Sequence, residues 1–213
     1  MEATARPLKL MIAIPTLDYI HYKFVESLTN LSHALDKLNV NYDICFKHST
    51  LVHLGRDWLA KKAYDEDYTH VLWLDADMVF EPDIFETLLK DEKEMVCGLF
   101  RSRHNNRRAY ALFSSLYPAV RYEALESNPE LLNDIFTVDG CGFACVLTRT
   151  DLLKRVLRDN NNTCFMPTQA FGEDLAFCER VKNLGIDIYC DPAVKVGHIG
   201  HGIIKADNTI DWI

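Results

Sequence analysis

Three short runs, nearly free of polar residues, most constrain this chain: LKLMIAI at 8–14, VLWL at 71–74 and MVCGLF at 95–100. A short apolar run bounded by turn signals reads as a strand covered on both faces, the habit of parallel sheets. The first run lies between Pro7 and Pro15. Residues 42–46 read as a further strand. Helical spacing fills the gaps. Residues 21–38 place Phe24, Val25, Leu28, Leu31, Leu35 and Leu38 at helical intervals and stop at Asn39. Residues 54–64 read as a second helix, and Pro82-Asp83 opens a third, with Ile84, Phe85, Leu88 and Leu89 on one face. Strand and helix alternate, which predicts a doubly wound α/β sheet.

The second half is less regular. Residues 101–108 read as a polar loop. Residues 109–117 and 137–147 are expected to pair as antiparallel strands around a Gly140 and Gly142 hinge. A helix from Thr150 or Asp151 to Leu157, a loop at 159–162, a helix at 173–184 stopped by Gly185 and a short strand at 186–190 complete the reading. The chain has 213 residues, 48% of them apolar, and no repeat or linker, so one domain is expected.

Net charge is -8, with no Lys/Arg-rich arm, which argues against a nucleic-acid partner. Seven cysteines occur without a CxxC pair; Cys141 and Cys145 are four apart, a spacing that does not suggest zinc. Reduced, buried thiols in a cytosolic protein are the expectation. The N-terminal apolar run is too short for a signal sequence, and no run approaches the ~20 apolar residues of a membrane span. The sequons at Asn30 and Asn161 carry little weight without such a signal. The end at DNTIDWI has no obvious cap and is compatible with one domain of a longer protein.

Within VLWLDADMVF, an apolar strand runs into Asp75-Ala76-Asp77. A buried ionised carboxylate costs several kcal/mol unless it is paired or bound to metal. Ligands sit at the carboxyl ends of strands in such sheets, where Pro15-Thr16-Leu17-Asp18 also falls. Oxygen ligands of this kind suit Mg²⁺ or Mn²⁺, which bridge phosphate oxygens. The bland alternative is two turn aspartates. Gly172-Glu173-Asp174 opens a helix; the acids either complement its dipole or serve as a general base in a cleft. Val196-Gly197-His198-Ile199-Gly200-His201-Gly202 sets imidazoles among glycines, with Lys205 three residues on, or is an incidentally His-bearing tail. Neutral imidazole suits Mn²⁺ better than Mg²⁺. Arg56, after Gly55, can fork onto a phosphate or pair with a carboxylate such as Asp75.

These motifs, in this order, together with a GCGFACVL loop, resemble the GT-A fold glycosyltransferases. The likeness is nearest to compact family-two-like, DXD-containing enzymes of large DNA viruses and bacteria, and is similar to the chlorella virus glycosyltransferase domain. It spans about residues 8–205. It implies a single Rossmann-like, mostly parallel central sheet flanked by helices, with a small antiparallel acceptor-side portion. Residues 8–100 would form the nucleotide-binding half and 101–213 the acceptor and sugar half. Pro15, Thr16 and Asp18 match the strand end that holds base and ribose, and Arg56 the helix-start arginine near the nucleotide. Asp75, with Ala76, would face the ribose or metal; Asp77 would ligate the metal and His198 complete its shell. Gly140, Cys141 and Gly142 match the loop beneath sugar and acceptor, and Asp174 beside Glu173 the acceptor-side acid. The tail His-x-x-His-Gly-x-x-Lys also resembles a segment of some retaining enzymes, offset by one residue, in which the lysine holds the diphosphate. That points to Lys205 and leaves the stereochemistry open.

The resemblance implies a Mn²⁺-dependent (or Mg²⁺-dependent) hexosyltransferase moving sugar from a UDP-sugar to a glycan or protein-linked hydroxyl, in the cytoplasm, or the host cytoplasm if viral. Two alternatives stand beside it. A nucleotidyltransferase making nucleotide-sugars would need a Gly-rich loop that PTLDYIHYK lacks. A non-catalytic carbohydrate-binding domain would not need Asp77.

Overall fold

The computed structural model of the chain describes residues 6–17, 19–102, 109–200, 202–207 and 209–212, without the side chains of 202–204, 211 and 212. The first half alternates as its apolar periods require: β1 (Lys9–Thr16), α1 (Tyr22–Lys37), β2 (Asn41–His48), α2 (Val52–Asp65), β3 (His70–Leu74), β4 (Met78–Val79), α3 (Ile84–Lys90) and β5 (Met95–Leu99). The second half adds β6 (Leu112–Ser115), β7 (Arg121–Tyr122), a 3-10 turn (Pro129–Asn133), β8 (Phe136–Val138), β9 (Gly140–Cys141), β10 (Cys145–Arg149), α4 (Thr150–Asp159), α5 (Glu173–Asn183), β11 (Ile188–Lys195), β12 (Gly197–Ile199), β13 (Gly202–Ile204) and β14 (Ile210–Trp212).

The central sheet has seven strands in the order β2-β1-β3-β10-β5-β11-β8. β1 runs parallel to β2 and β3, and β5 parallel to β11; β10 and β8 run against their neighbours. β1 shows why the apolar runs form strands. Leu10, Ile12 and Ile14 join a core with Phe24, Leu28 and Leu31 of α1, while Met11 and Ala13 join one with Leu59 and Ala60 of α2. Successive side chains point to opposite faces, so helices on both faces require an unbroken apolar strand. α1 ends at Leu38, and Asn39 turns into the left-handed region at φ 54°, where a short polar side chain is tolerated.

Two expectations change. Residues 137–147 are not one strand. β9 pairs with β6 in a small antiparallel sheet ordered β7-β6-β9, whereas β10 enters the central sheet between β3 and β5. Four of the five β10 residues are buried, which suits a central position, and Thr148 accepts a bond from Trp73 Nε1 at 3.0 Å. The last large strand also continues beyond residue 190. Pro192 would normally end it, but the register shifts between Asp191 and Lys195, and Asp191 Oδ1 accepts from the Ala193 amide at 2.8 Å. The irregularity accommodates the missing donor.

All seven cysteines are free thiols, six of them buried. Among the described residues no helix is long and apolar enough to cross a membrane.

Candidate active site

Because β1 and β3 are parallel, the segments that follow them leave at the same edge of the sheet. Asp75 follows β3, and its amide is held by the Ala144 carbonyl at 3.2 Å. The chain then turns into β4, which pairs antiparallel with β12: Gly197 lies opposite Val79 and His198 opposite Met78. The Ile199 amide also donates to the Asp77 carbonyl at 2.8 Å. This pairing brings a histidine more than a hundred residues away to within 3.4 Å (Nε2 to Oδ2) of Asp77.

The imidazole is oriented from behind. His198 Nδ1 lies 3.1 Å from the Arg101 carbonyl. A carbonyl only accepts, so Nδ1 carries the hydrogen. In the neutral ring Nε2 then presents a lone pair toward a carboxylate oxygen. Two lone pairs so placed call for a proton or a cation between them. A metal-ligating histidine is ordinarily held in this way, by a backbone carbonyl on its other nitrogen.

Asp174 reaches the same cleft from the first turn of α5. Its Oδ2 accepts from the Phe143 amide at 3.3 Å. A cleft of about 380 Å³ is lined by Asp75, Asp77, His198, Glu173 and Asp174, and by Gly142, Phe113 and Tyr122 among others. Gly142 is required for close packing: a Cβ would lie 2.8 Å from the Phe100 ring.

Arg56 ties the acids together. Its guanidinium donates through Nη2 to Asp75 Oδ1 at 2.8 Å and through Nη1 to Glu173 Oε1 at 3.2 Å and to Asp174 Oδ1. Its side chain is 2% exposed, and it lies over the rings of Phe143 and Phe165. Burial works against its charge, but Asp174, Asp75 and Glu173 outweigh that and push its pKa above the usual value. Burial raises the Asp174 carboxyl; Arg56 opposes this, Glu173 and Asp75 add to it, and the group settles at about 6. Asp75 is also raised, by burial first and by Asp77 in part, against the pull of Arg56. Of the two roles open to Arg56 in the sequence, the carboxylate partner is the one observed.

The neighbouring Asp57 has a different task. It accepts from the Cys164 and Phe165 amides at 2.6 and 2.8 Å, so α2 fixes both the acids and the segment that carries Phe165.

The other expected site residues are more scattered. Pro15 and Thr16 end β1 at the right edge but do not line this cleft, and Asp18 lies outside the described residues, as does His201. Ala76 packs against the α1-side core. Gly140 and Cys141 are buried beneath the site. A Cβ on Gly140 would lie 2.9 Å from Leu175, and the Cys141 amide donates to Cys178 Sγ at 3.4 Å, so both hold α5 close to β9. Lys205 is exposed and lines a separate cavity of about 580 Å³ with Lys23, Glu26 and Lys195. Phe113 and Tyr122 carry no motif; their place in the cleft follows from strand pairing.

A seven-stranded, mostly parallel sheet flanked by helices, with a small antiparallel sheet beside an acid-lined cleft, defines a GT-A-like α/β fold. No family profile and no curated protein matches the sequence. Among solved structures the chain is similar to A197 from STIV, with a TM-score of 0.65 and 19% identity over 96% of this chain and 93% of that one. It is also similar to the catalytic domain of Drosophila beta1,4-galactosyltransferase 7, solved in complex with xylobiose. There the TM-score is 0.54 and the identity 14%, over 97% of this chain and 71% of the other. At these identities the likeness is one of fold.

Proposed function

We propose that this chain is a divalent-cation-dependent glycosyltransferase that moves a sugar from a UDP-sugar to an acceptor hydroxyl. The observation that carries this reading is the meeting of the Asp77–His198 pair and Asp174 in one cleft.

The donor set fits Mn²⁺ or Mg²⁺. Asp77 and His198 Nε2 would hold the ion, with the Asp75 carboxylate in the same cleft. Among the described residues no three such side chains are gathered as a finished metal shell. That suits a hard cation bound by one or two carboxylates and completed by water and substrate phosphates. When bound, the ion supplies Lewis-acid stabilisation to the departing nucleoside diphosphate.

The chain's own residues do the rest. Asp174 takes the proton from the acceptor hydroxyl as it attacks the anomeric carbon; the bond to the diphosphate breaks on the opposite face. A base with a pKa near 6 is largely ionised at neutral pH and still basic enough to help. Arg56 fixes the orientation of Asp174 and keeps Glu173 beside it. This is the inverting course. It is favoured by an acid in the cleft and by the position of Lys205 in another cavity.

The experiment is to incubate the protein with Mn²⁺ and a panel of UDP-sugars and acceptors, and to assay released phosphates. Free UDP, lost in Asp77→Ala, is expected. In a parallel incubation with UTP and a sugar 1-phosphate, pyrophosphate release, with no UDP formed from the UDP-sugars, would overturn the reading in favour of nucleotidyl transfer.

A further inference from the structure

The cleft that holds the acids is also lined by aromatic side chains. Tyr122 stands on β7, a strand of two exposed residues, and is itself 49% exposed. It pairs directly with Phe113 of β6, which pairs in turn with Gly140 of β9. Paired residues of antiparallel strands point to the same face. Tyr122, Phe113 and Gly140 thus form a row on one face of the small sheet. The contact between a Cβ on Gly140 and Leu175 shows that this face looks onto the first turn of α5, where Asp174 stands. The two rings lie 4.7 Å apart between centroids at 33°, a splayed surface. Both line the cleft that holds Asp77, His198 and Asp174.

A ligand that satisfies both the acids and the rings has hydroxyls for the former and an apolar C–H face for the latter. Ring faces carry negative charge density and attract the weakly positive C–H groups of a saturated ring, while the exposed apolar surface is relieved of water. A diphosphate has no such face. We propose that Phe113 and Tyr122 form a stacking platform for a pyranose ring of the acceptor, presenting its hydroxyl to Asp174. The inference rests on the glycosyl-transfer reading and adds to it the acceptor class, a pyranoside.

The test compares wild type, Tyr122→Ala and Tyr122→Phe, each checked for an unchanged melting temperature. Two bindings are measured: UDP with Mn²⁺ by calorimetry, and methyl β-D-glucopyranoside, methyl β-D-galactopyranoside and methyl β-D-xylopyranoside by saturation-transfer NMR. At least one glycoside is expected to take saturation from aromatic protons of the wild type. Tyr122→Ala should weaken it about tenfold, and Tyr122→Phe by no more than about twofold. UDP affinity should be the same in all three. Equal loss of UDP in Tyr122→Ala would make the rings a base platform and overturn the proposal. So would unchanged glycoside binding in Tyr122→Ala, or no glycoside binding to a wild type that binds UDP. A wild type that binds glycoside through Tyr122 but not UDP would sink the transferase reading and leave the platform standing.

Discussion

Arg56→Met should destabilise the protein by about 3–5 kcal/mol at neutral pH, the cost typical of removing one side of a buried ion pair. The geometry explains the size. One guanidinium meets Asp75, Glu173 and Asp174, and each of these side chains is no more than 31% exposed. Methionine fills much of the space against Phe143 and Phe165 but leaves three carboxylates facing one another. The sign of the pH dependence follows. Arg56 stabilises the ionised acids, so its contribution is present when they are charged and is lost as pH falls and they protonate. The difference between wild type and variant, measured by urea denaturation, should therefore shrink between pH 8 and pH 5. A difference that stays constant over that range would assign the effect to packing. Arg56→Lys should recover only part, because an ammonium cannot fork across three acceptors.

Asp174→Asn should lower kcat by about 10²–10⁴, the range for loss of a general base, while UDP binding stays within about twofold, since removing a transition-state contact leaves ground-state binding in place. Asparagine keeps the shape and can still accept from the Phe143 amide, but it cannot take a proton. In the wild type, activity should rise with pH through about 6, where Asp174 ionises. Stability should change in the opposite direction. A carboxyl whose folded pKa lies above its unfolded value near 3.9 binds its proton more tightly when folded, so its contribution falls as pH rises from about 4 to 6. Asp174→Asn should remove that component. A variant with full kcat would show that the base lies elsewhere.

Much of the frame was legible because burial on both faces leaves a plain mark. LKLMIAI, VLWL and MVCGLF became β1, β3 and β5. The carboxylates stood out for the converse reason, as charges placed where apolar strands end. Partners were harder to read. Residues 145–149 look like a strand, yet nothing in them says that they insert antiparallel between β3 and β5. A carboxylate partner such as Asp75 could be read for Arg56; only the folded chain adds Glu173 and Asp174 and turns Asp57 toward the amides of Cys164 and Phe165. Gly140 and Cys141 were expected in the loop beneath the sugar; what the sequence did not show is that both are buried and pack closely against α5. Tyr122 belongs to a two-residue strand, too short for any period, and reaches the cleft through its pairing with Phe113.

The account depends on Asp77 and His198 joining with a divalent cation to hold a nucleoside diphosphate. Thermal denaturation with UDP tests this most directly, run with Mn²⁺ and with EDTA on wild type and on Asp77→Ala. UDP should raise Tm in the wild type only when Mn²⁺ is present, and should not raise it in Asp77→Ala under either condition. An equal rise in EDTA, or a rise that survives in Asp77→Ala, would contradict the account.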